Sequence, residues 1–428
     1  MTTVAQDETA DFFTDPSLSV DPYPWYEQMR SHGPVWREPH HGVVMISGLR
    51  EATQVLSDAD NWSSCLSVTG PFPGLPERPT GEHDVRQIID AARPGLPMSE
   101  HLVAMDPPDH TRHRALLMRL LTPRRLKQSE DFVRDLGQRQ IGPLIERGHA
   151  ELLKEFASNF ALLVVADLLG VPPEDHAKFR QHLGALQPGE VNAAGETVLD
   201  PLSFLAEYFS RYVEDRRANP RGDMLTALAT ATFPDGSTPE VIDVVRIASF
   251  LFAAGQETSA RLMVSSAHHL AEHKELQQHL RDHPEEIPAA IEEYLRLESP
   301  VKVTFRVSLH DTNIGGVDVP AGQLVAMLMG AANRDGAAMK CPETFDAQRD
   351  DLYQHIAFGR GAHACPGGAL ARMEAKVFLE QLLAGTSDFD LDEQHHGPPG
   401  NRNLDYDMTY ILRGLSKLHL TFTPRDAA

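Results

Sequence analysis

The sequence predicts a mainly α chain with small β-sheets, folded as one large domain. A polar-apolar helical pattern runs from Ser129 to about Pro220, and a single helix of well over 25 residues extends from about Pro239 to Glu272. Short alternating runs follow it. A chain of 428 residues would by default divide into two or three domains, yet no linker, repeat or low-complexity tract is long enough to divide it. A large group buried at the centre would let one extended core form.

Charge and cysteine usage narrow the class. The 61 acidic against 39 basic side chains leave a net charge of −22, which argues against nucleic acid or anionic membrane as partners. Three cysteines, Cys65, Cys341 and Cys365, are too few and too odd for a disulfide scaffold and fit a reducing cytoplasm. MTTVAQDETADFF lacks the basic start and apolar run of a secretion signal. The longest uncharged apolar stretches fall far short of the ~20 residues a membrane span needs. A soluble cytoplasmic protein is expected.

In chain order, residues 1–20 read as a flexible segment and 21–428 as the folded domain. GVVMISG alternates as a strand, and LREATQVLSD continues as a helix. Residues 65–104 are dense in proline and glycine, which suggests either a mobile functional loop or a solvated insertion. The helix after Pro107 and Pro108 places His110 and Arg114 four apart on one face, where two donors can grip a carboxylate. Arg112, Arg114, Arg119, Arg124, Arg125 and Lys127 have no acid among them, so a basic docking patch is expected in this acidic chain. SNFALLVVADLLG reads as a buried helix stopped by Gly170, Pro172 and Pro173, and 185–201 is a second soft connection.

The long helix, capped by Ser237 or Thr238 with Pro239 in its first turn, breaks a local rule in its middle. AAGQETS sets Gly255 in a helix interior and puts Glu257 and Thr258, an acid and an alcohol, side by side. The bland alternative is a threonine bonded back to its own helix and a solvated glutamate. Glu293 and Arg296 then stand three apart, short strands follow, and LDYDMTYILRGLSKLHLTFTP alternates as a closing hairpin.

The most specific stretch is HIAFGRGAHACPGGALARME, residues 355–374. Glycines let backbone approach a flat bulky object, and a thiol ahead of a helix N-terminus has its thiolate favoured by the helix dipole. No CxxC pair is present, which argues against structural zinc; a lone thiolate can attack a substrate or hold a soft metal, and haem iron takes one axial thiolate. FGRGAHAC followed by PG and ALAR, which fixes Phe358, Gly359, Gly361, His363, Cys365 and Gly367 together, resembles the haem-binding loop of the cytochrome P-450 family.

The resemblance spans nearly the whole chain and implies a cytochrome P-450 fold around a buried haem b, iron protoporphyrin IX. It implies Cys365 as iron ligand and Phe358, Gly359 and Gly367 as the haem-facing loop, with His110, Arg114, Arg306 and His363 on the propionates. It further implies Glu257 and Thr258 as the proton-delivering pair, a kink at Gly255 that opens a groove for dioxygen, and a structural network of Glu293, Arg296 and Arg349. Residues 65–104 would form a lid and 185–201 the pocket roof, while 301–305 and Met408 to Ile411 would line the pocket. Pro366 departs from relatives that carry an N–H there, which implies a more electron-rich sulfur.

The implied activity is a monooxygenase of the bacterial soluble type that puts one oxygen atom from O2 into a C–H bond of an apolar small molecule, lipid, steroid or terpenoid-like. No fused flavin or iron-sulfur segment is visible, so a small acidic ferredoxin and its reductase would deliver electrons from NAD(P)H to a monomeric protein. Two rivals keep Cys365 without oxygen chemistry: a haem-thiolate ligand sensor, and an oxygen-independent isomerase or dehydratase.

Overall fold

The Val241–Glu272 helix, about 48 Å long at the α-helical rise, is the axis of the computed structural model, which describes residues 10–76, 84–182 and 200–425. Its start is fixed chemically. Glu240 accepts from the third helical residue, and Asp243 reaches back to the Glu240 N–H, a reciprocal cap that places the helix start just after the Ser237 or Thr238 expected from sequence. Helices Ser158–Leu169, Phe204–Ala218 and Gly368–Gly385 pack around it. Val244, Ala248, Phe252, Leu262, Met263 and Leu270 are buried in the shared core. Ser158–Leu169 stops as expected, because Gly170 turns to a left-handed φ of 68°, where a Cβ would also strike the Asp223 side chain.

A five-stranded sheet forms the second part of the fold. Its order is Val35–Arg37, Val44–Ile46, Leu324–Leu328, Val303–Ser308, Trp62–Ser63, and only the contact between the second and third is parallel. Strands more than 200 residues apart in sequence thus tie both ends of the chain into one unit. Thr312–Ile314 and Val317–Val319 make a small separate hairpin.

Two expectations change here. Residues 10–20 are packed: Phe12 and Phe13 are buried against Trp25, Phe305 and Tyr410, and His41 lies 3.0 Å from Asp11. Two adjacent phenylalanines are enough to anchor this stretch despite its acidic flanks. The closing hairpin survives only as an irregular turn bridged at Tyr406 and Leu415. The last strand, His419–Pro424, instead pairs with Thr386–Leu391 and His149–Glu151, where its apolar residues are covered. Most of 185–201 lies outside the described residues, as do 1–9 and 77–83.

The Glu293–Arg296 pair is buried as expected. Arg296 Nε donates to Glu293 Oε2 at 2.7 Å, Arg349 Nε donates to Glu293 Oε1 at 2.9 Å, and Arg296 also binds the carbonyls of Asn333, Pro342 and Thr344. Satisfying this guanidinium requires the segment that leads into the cysteine loop to fold against the Ile287–Leu297 helix. Structure, not chemistry, is its task.

Candidate active site

Backbone geometry presents Cys365. Gly359 and Gly361 hold left-handed φ values of 69° and 66°, and a Cβ on Gly361 would come within 2.5 Å of the Leu56 carbonyl oxygen. The loop closes where the Cys365 N–H donates to the Phe358 carbonyl at 2.7 Å. Beyond it the Gly368–Gly385 helix begins, and the N–H groups of Gly367 and Gly368 point at the sulfur. Burial among protein atoms nevertheless raises the thiol pKa, outweighing those two N–H groups and the Arg114 and Arg372 charges. That direction is opposite to the one the helix dipole alone predicts.

A cavity opens over the sulfur. Phe358, Gly359, His363, Cys365, Arg306 and Thr258 line it together with Val301 and Thr304. His110 is stacked on His363 at 3.9 Å, and both His110 ring nitrogens are buried without a hydrogen-bond partner among the described residues. Ser64 Oγ lies 3.1 Å from His363 Nε2. Arg306 is only 5% exposed, and among the described residues its guanidinium donates only to the Phe305 carbonyl. Arg114 donates to the Ala364 carbonyl, beside the cysteine.

Electrostatics around this rim is unbalanced. Burial and then the neighbouring arginines hold His110 down to about 4 and His363 to about 2, and burial lowers Arg306 to about 10. Donors and cations are therefore gathered here, and the acid that acts on Arg306, Asp106, is already held by Arg93 and the Ser64 N–H. A flat group bearing two carboxylates and an iron open to one thiolate fits this donor set, which is the description of haem.

A network not foreseen from sequence braces the loop. Arg372 binds both oxygens of Glu292, at 2.5 and 2.7 Å, His355 Nε2 lies 3.0 Å from Glu292 Oε2, and the Arg372 guanidinium sits 4.5 Å from the Phe358 ring centre. Burial alone would raise the Glu292 carboxyl, but the Arg372 and His355 hydrogen bonds bring it down to about 2. The signal was the doubled acid in AIEEYLR, of which only Glu293 has the three-residue spacing to Arg296.

Across the cavity, the long helix runs through Gly255 without a break in its helical assignment. Glycine here allows close approach, since a Cβ would lie 3.2 Å from Val165 Cγ2 of the neighbouring helix. Thr258 Oγ1 donates to the Ala254 carbonyl at 3.1 Å, the back-bonded alternative. Glu257 ion-pairs with Arg261 one turn on, and Arg261 Nη1 also lies 2.8 Å from Asp407 Oδ2 of the tail.

Glu257 faces a second chamber of about 770 Å³, while Thr258, the next residue of the same helix, lines the first. Met408 to Ile411 line the second chamber, as expected, and so do Phe12 and Phe13, which sequence reading had left outside the fold. The basic stretch divides. Arg112 stacks 3.7 Å over Phe233 and lies 3.7 Å from Asp235, Arg114 turns inward, and Arg119, Arg124 and Lys127 remain at the surface.

One thiol beneath a cavity, cationic donors at its rim and an acid and alcohol on the opposite helix define a haem-thiolate oxygenase. A family model described as Cytochrome P-450 matches residues 194–405. The chain is 33% identical to cytochrome P-450 144 of Mycobacterium tuberculosis over 394 residues, covering 90% of this chain and 87% of the relative. It is 30% identical to the vitamin D(3) 25-hydroxylase of Pseudonocardia autotrophica, over 92% of this chain and 96% of that one. The substrate-free structure of Mycobacterium marinum CYP150A6 superposes with a TM-score of 0.90 at 50% identity, covering 97% and 99% of the two chains. The chain belongs to the cytochrome P-450 family and is a haem-thiolate monooxygenase.

Proposed function

We propose that the protein hydroxylates an apolar small molecule, of lipid, steroid or terpenoid type, held in the 770 Å³ chamber. The observation that carries this reading is the chamber itself: walls of phenylalanine, methionine and leucine that reach Glu257, next in the helix to the Thr258 that lines the Cys365 cavity. The relative named as a vitamin D(3) hydroxylase supports a ligand of this size and polarity. His110, Arg114, Arg306 and His363 hold the haem propionates, Phe358, Gly359 and Gly367 give the ring its close backing, and Cys365 ligates the iron. Bound there, the haem supplies dioxygen activation.

The chain's own residues do the rest. Apolar walls exclude water from the bound substrate. The Thr258 hydroxyl, held by the Ala254 carbonyl, faces the haem cavity, and Glu257 beside it exchanges protons with the larger chamber. Because Arg261 grips Glu257, the carboxylate reaches Thr258 only when that ion pair loosens.

Electrons come from NAD(P)H through a reductase and a separate small acidic ferredoxin, with the protein acting as a cytoplasmic monomer. Arg119, Arg124 and Lys127 give the ferredoxin a basic surface beside an apolar groove lined by Leu126, Pro288 and Met373, on the side of the Cys365 helix. Among the described residues no helix is long and apolar enough to cross a membrane, which accords with a soluble partner system.

The test is reconstitution. Haem-loaded protein, reduced under carbon monoxide, is expected to show a thiolate-ligated spectrum. With ferredoxin and reductase it is expected to consume NAD(P)H and add one oxygen atom to an apolar ligand found by spin-state screening. An imidazole-type spectrum, or turnover without NAD(P)H, would overturn the reading in favour of a sensor or an isomerase.

A further inference from the structure

The larger chamber has a charge pattern that its apolar character conceals. Six aromatic rings face it: Phe12, Phe13, Phe72, Phe204, Phe250 and Tyr410. Among the described residues the carboxylates on its wall are Asp15, from the N-terminal segment, and Glu257, beside the Thr258 that lines the Cys365 cavity, and no lysine, arginine or histidine lines it. Asp15 accepts the Ser17 N–H at 2.8 Å, and among the described residues its carboxylate has no ion pair.

The two arginines close behind the wall each have an acid, and two histidines there also lie beside one. His41 lies 3.0 Å from Asp11, and His101 lies 3.1 Å from Asp200 while tilting against Phe250. Arg261 is shared by Glu257 and Asp407, two carboxylates for one guanidinium, and Arg413 is bound to Glu298. Lys302, buried beside Arg261 and Arg413, is not on the wall.

Resting on the monooxygenase reading, we infer that the chamber selects neutral or amine-bearing apolar ligands and excludes carboxylates. A carboxylate drawn into it would leave water, meet no donor charge and stand between Asp15 and Glu257, so desolvation and repulsion act together. An ammonium group loses less, because ring faces and the same two acids attract it. A neutral polycycle keeps the full benefit of the rings. The net charge of −22 adds a long-range field of the same sign at the entrance.

Three probes matched in shape test this on the haem-loaded protein: 1-dodecylimidazole, 12-(imidazol-1-yl)dodecanoic acid and 12-(imidazol-1-yl)dodecylamine. The imidazole of each coordinates iron and shifts the haem absorption, so affinity is read by titration with no need for the natural substrate. The acid is expected to bind at least about tenfold more weakly than the neutral probe at low salt, and the amine at least as tightly as the neutral probe. Added salt and Asp15→Asn, which keeps the hydrogen-bonded turn, are both expected to narrow the gap, and Asp15→Lys to narrow it further. An acid that binds as tightly as the neutral probe overturns the inference. So does a gap that neither salt nor Asp15→Asn changes. Failure to take up haem would instead overturn the underlying reading, and is seen before any probe is added.

Discussion

Replacing Glu374 with glutamine is expected to flatten the pH dependence of stability. Glu374 lies on the Gly368–Gly385 helix, completely buried against the long helix, and among the described residues neither carboxylate oxygen meets a donor at full hydrogen-bonding geometry. Burial pushes its pKa from 4.5 to about 8, with the Ser259 hydroxyl easing it only slightly. The folded state therefore keeps the proton while the unfolded chain releases it near 4.5. For a carboxyl raised on folding, the stability it allows is complete below 4.5 and lost as pH rises toward 8. Linkage puts the loss between pH 5 and pH 8 at about 3 kcal/mol. Glutamine has the same shape and stays neutral. Urea unfolding of the haem-loaded variant and parent, compared at constant m-value, should give curves that coincide near pH 5 and separate by at least about 2 kcal/mol near pH 8, with the variant the more stable. Parallel curves across that range would show that Glu374 finds a partner or ionises in place, and would refute the argument.

Thr258→Ala is expected to leave NAD(P)H consumption running while product per electron falls at least about tenfold, measured as the ratio of hydroxylated product to peroxide. Pro366→Leu adds a backbone N–H next to the sulfur, which already receives those of Gly367 and Gly368; a more positive iron potential is expected in a spectroelectrochemical titration, and an unchanged or lower one counts against it. Gly361→Ala forces a Cβ onto the Leu56 carbonyl at a left-handed φ, so haem occupancy after purification should drop, with a strain of roughly 1–3 kcal/mol.

Much of the site was legible because its chemistry is local in sequence. The cysteine loop needs glycines at fixed offsets, and Phe358 to Gly367 declare it within ten residues. The long helix, its acid and alcohol, and the Glu293–Arg296 pair obey short spacings too. What escaped reading joins distant segments. Glu292 meets Arg372 eighty residues on, and Arg261 is claimed by Asp407 from the tail; neither has a periodic signature. Thr258 shows why motif and geometry differ: the residue is where the pattern puts it, yet its hydroxyl bonds to the helix that carries it. The final strand was misassigned because alternation reveals that a segment is a strand but not which neighbour it joins.

Phe12 and Phe13 have a practical bearing on anyone who expresses this protein. A deletion meant to trim loose residues at the amino end, if it reaches Phe12 and Phe13, removes part of the wall of the larger chamber, and a tag fused there is joined to that wall. Among the described residues, none of the carboxyl-terminal strand His419–Pro424, which runs between His149–Glu151 and Thr386–Leu391, lines either cavity, so that end is the safer place for a handle. Turnover numbers from differently tagged preparations should therefore be compared only after the leader has been cleaved.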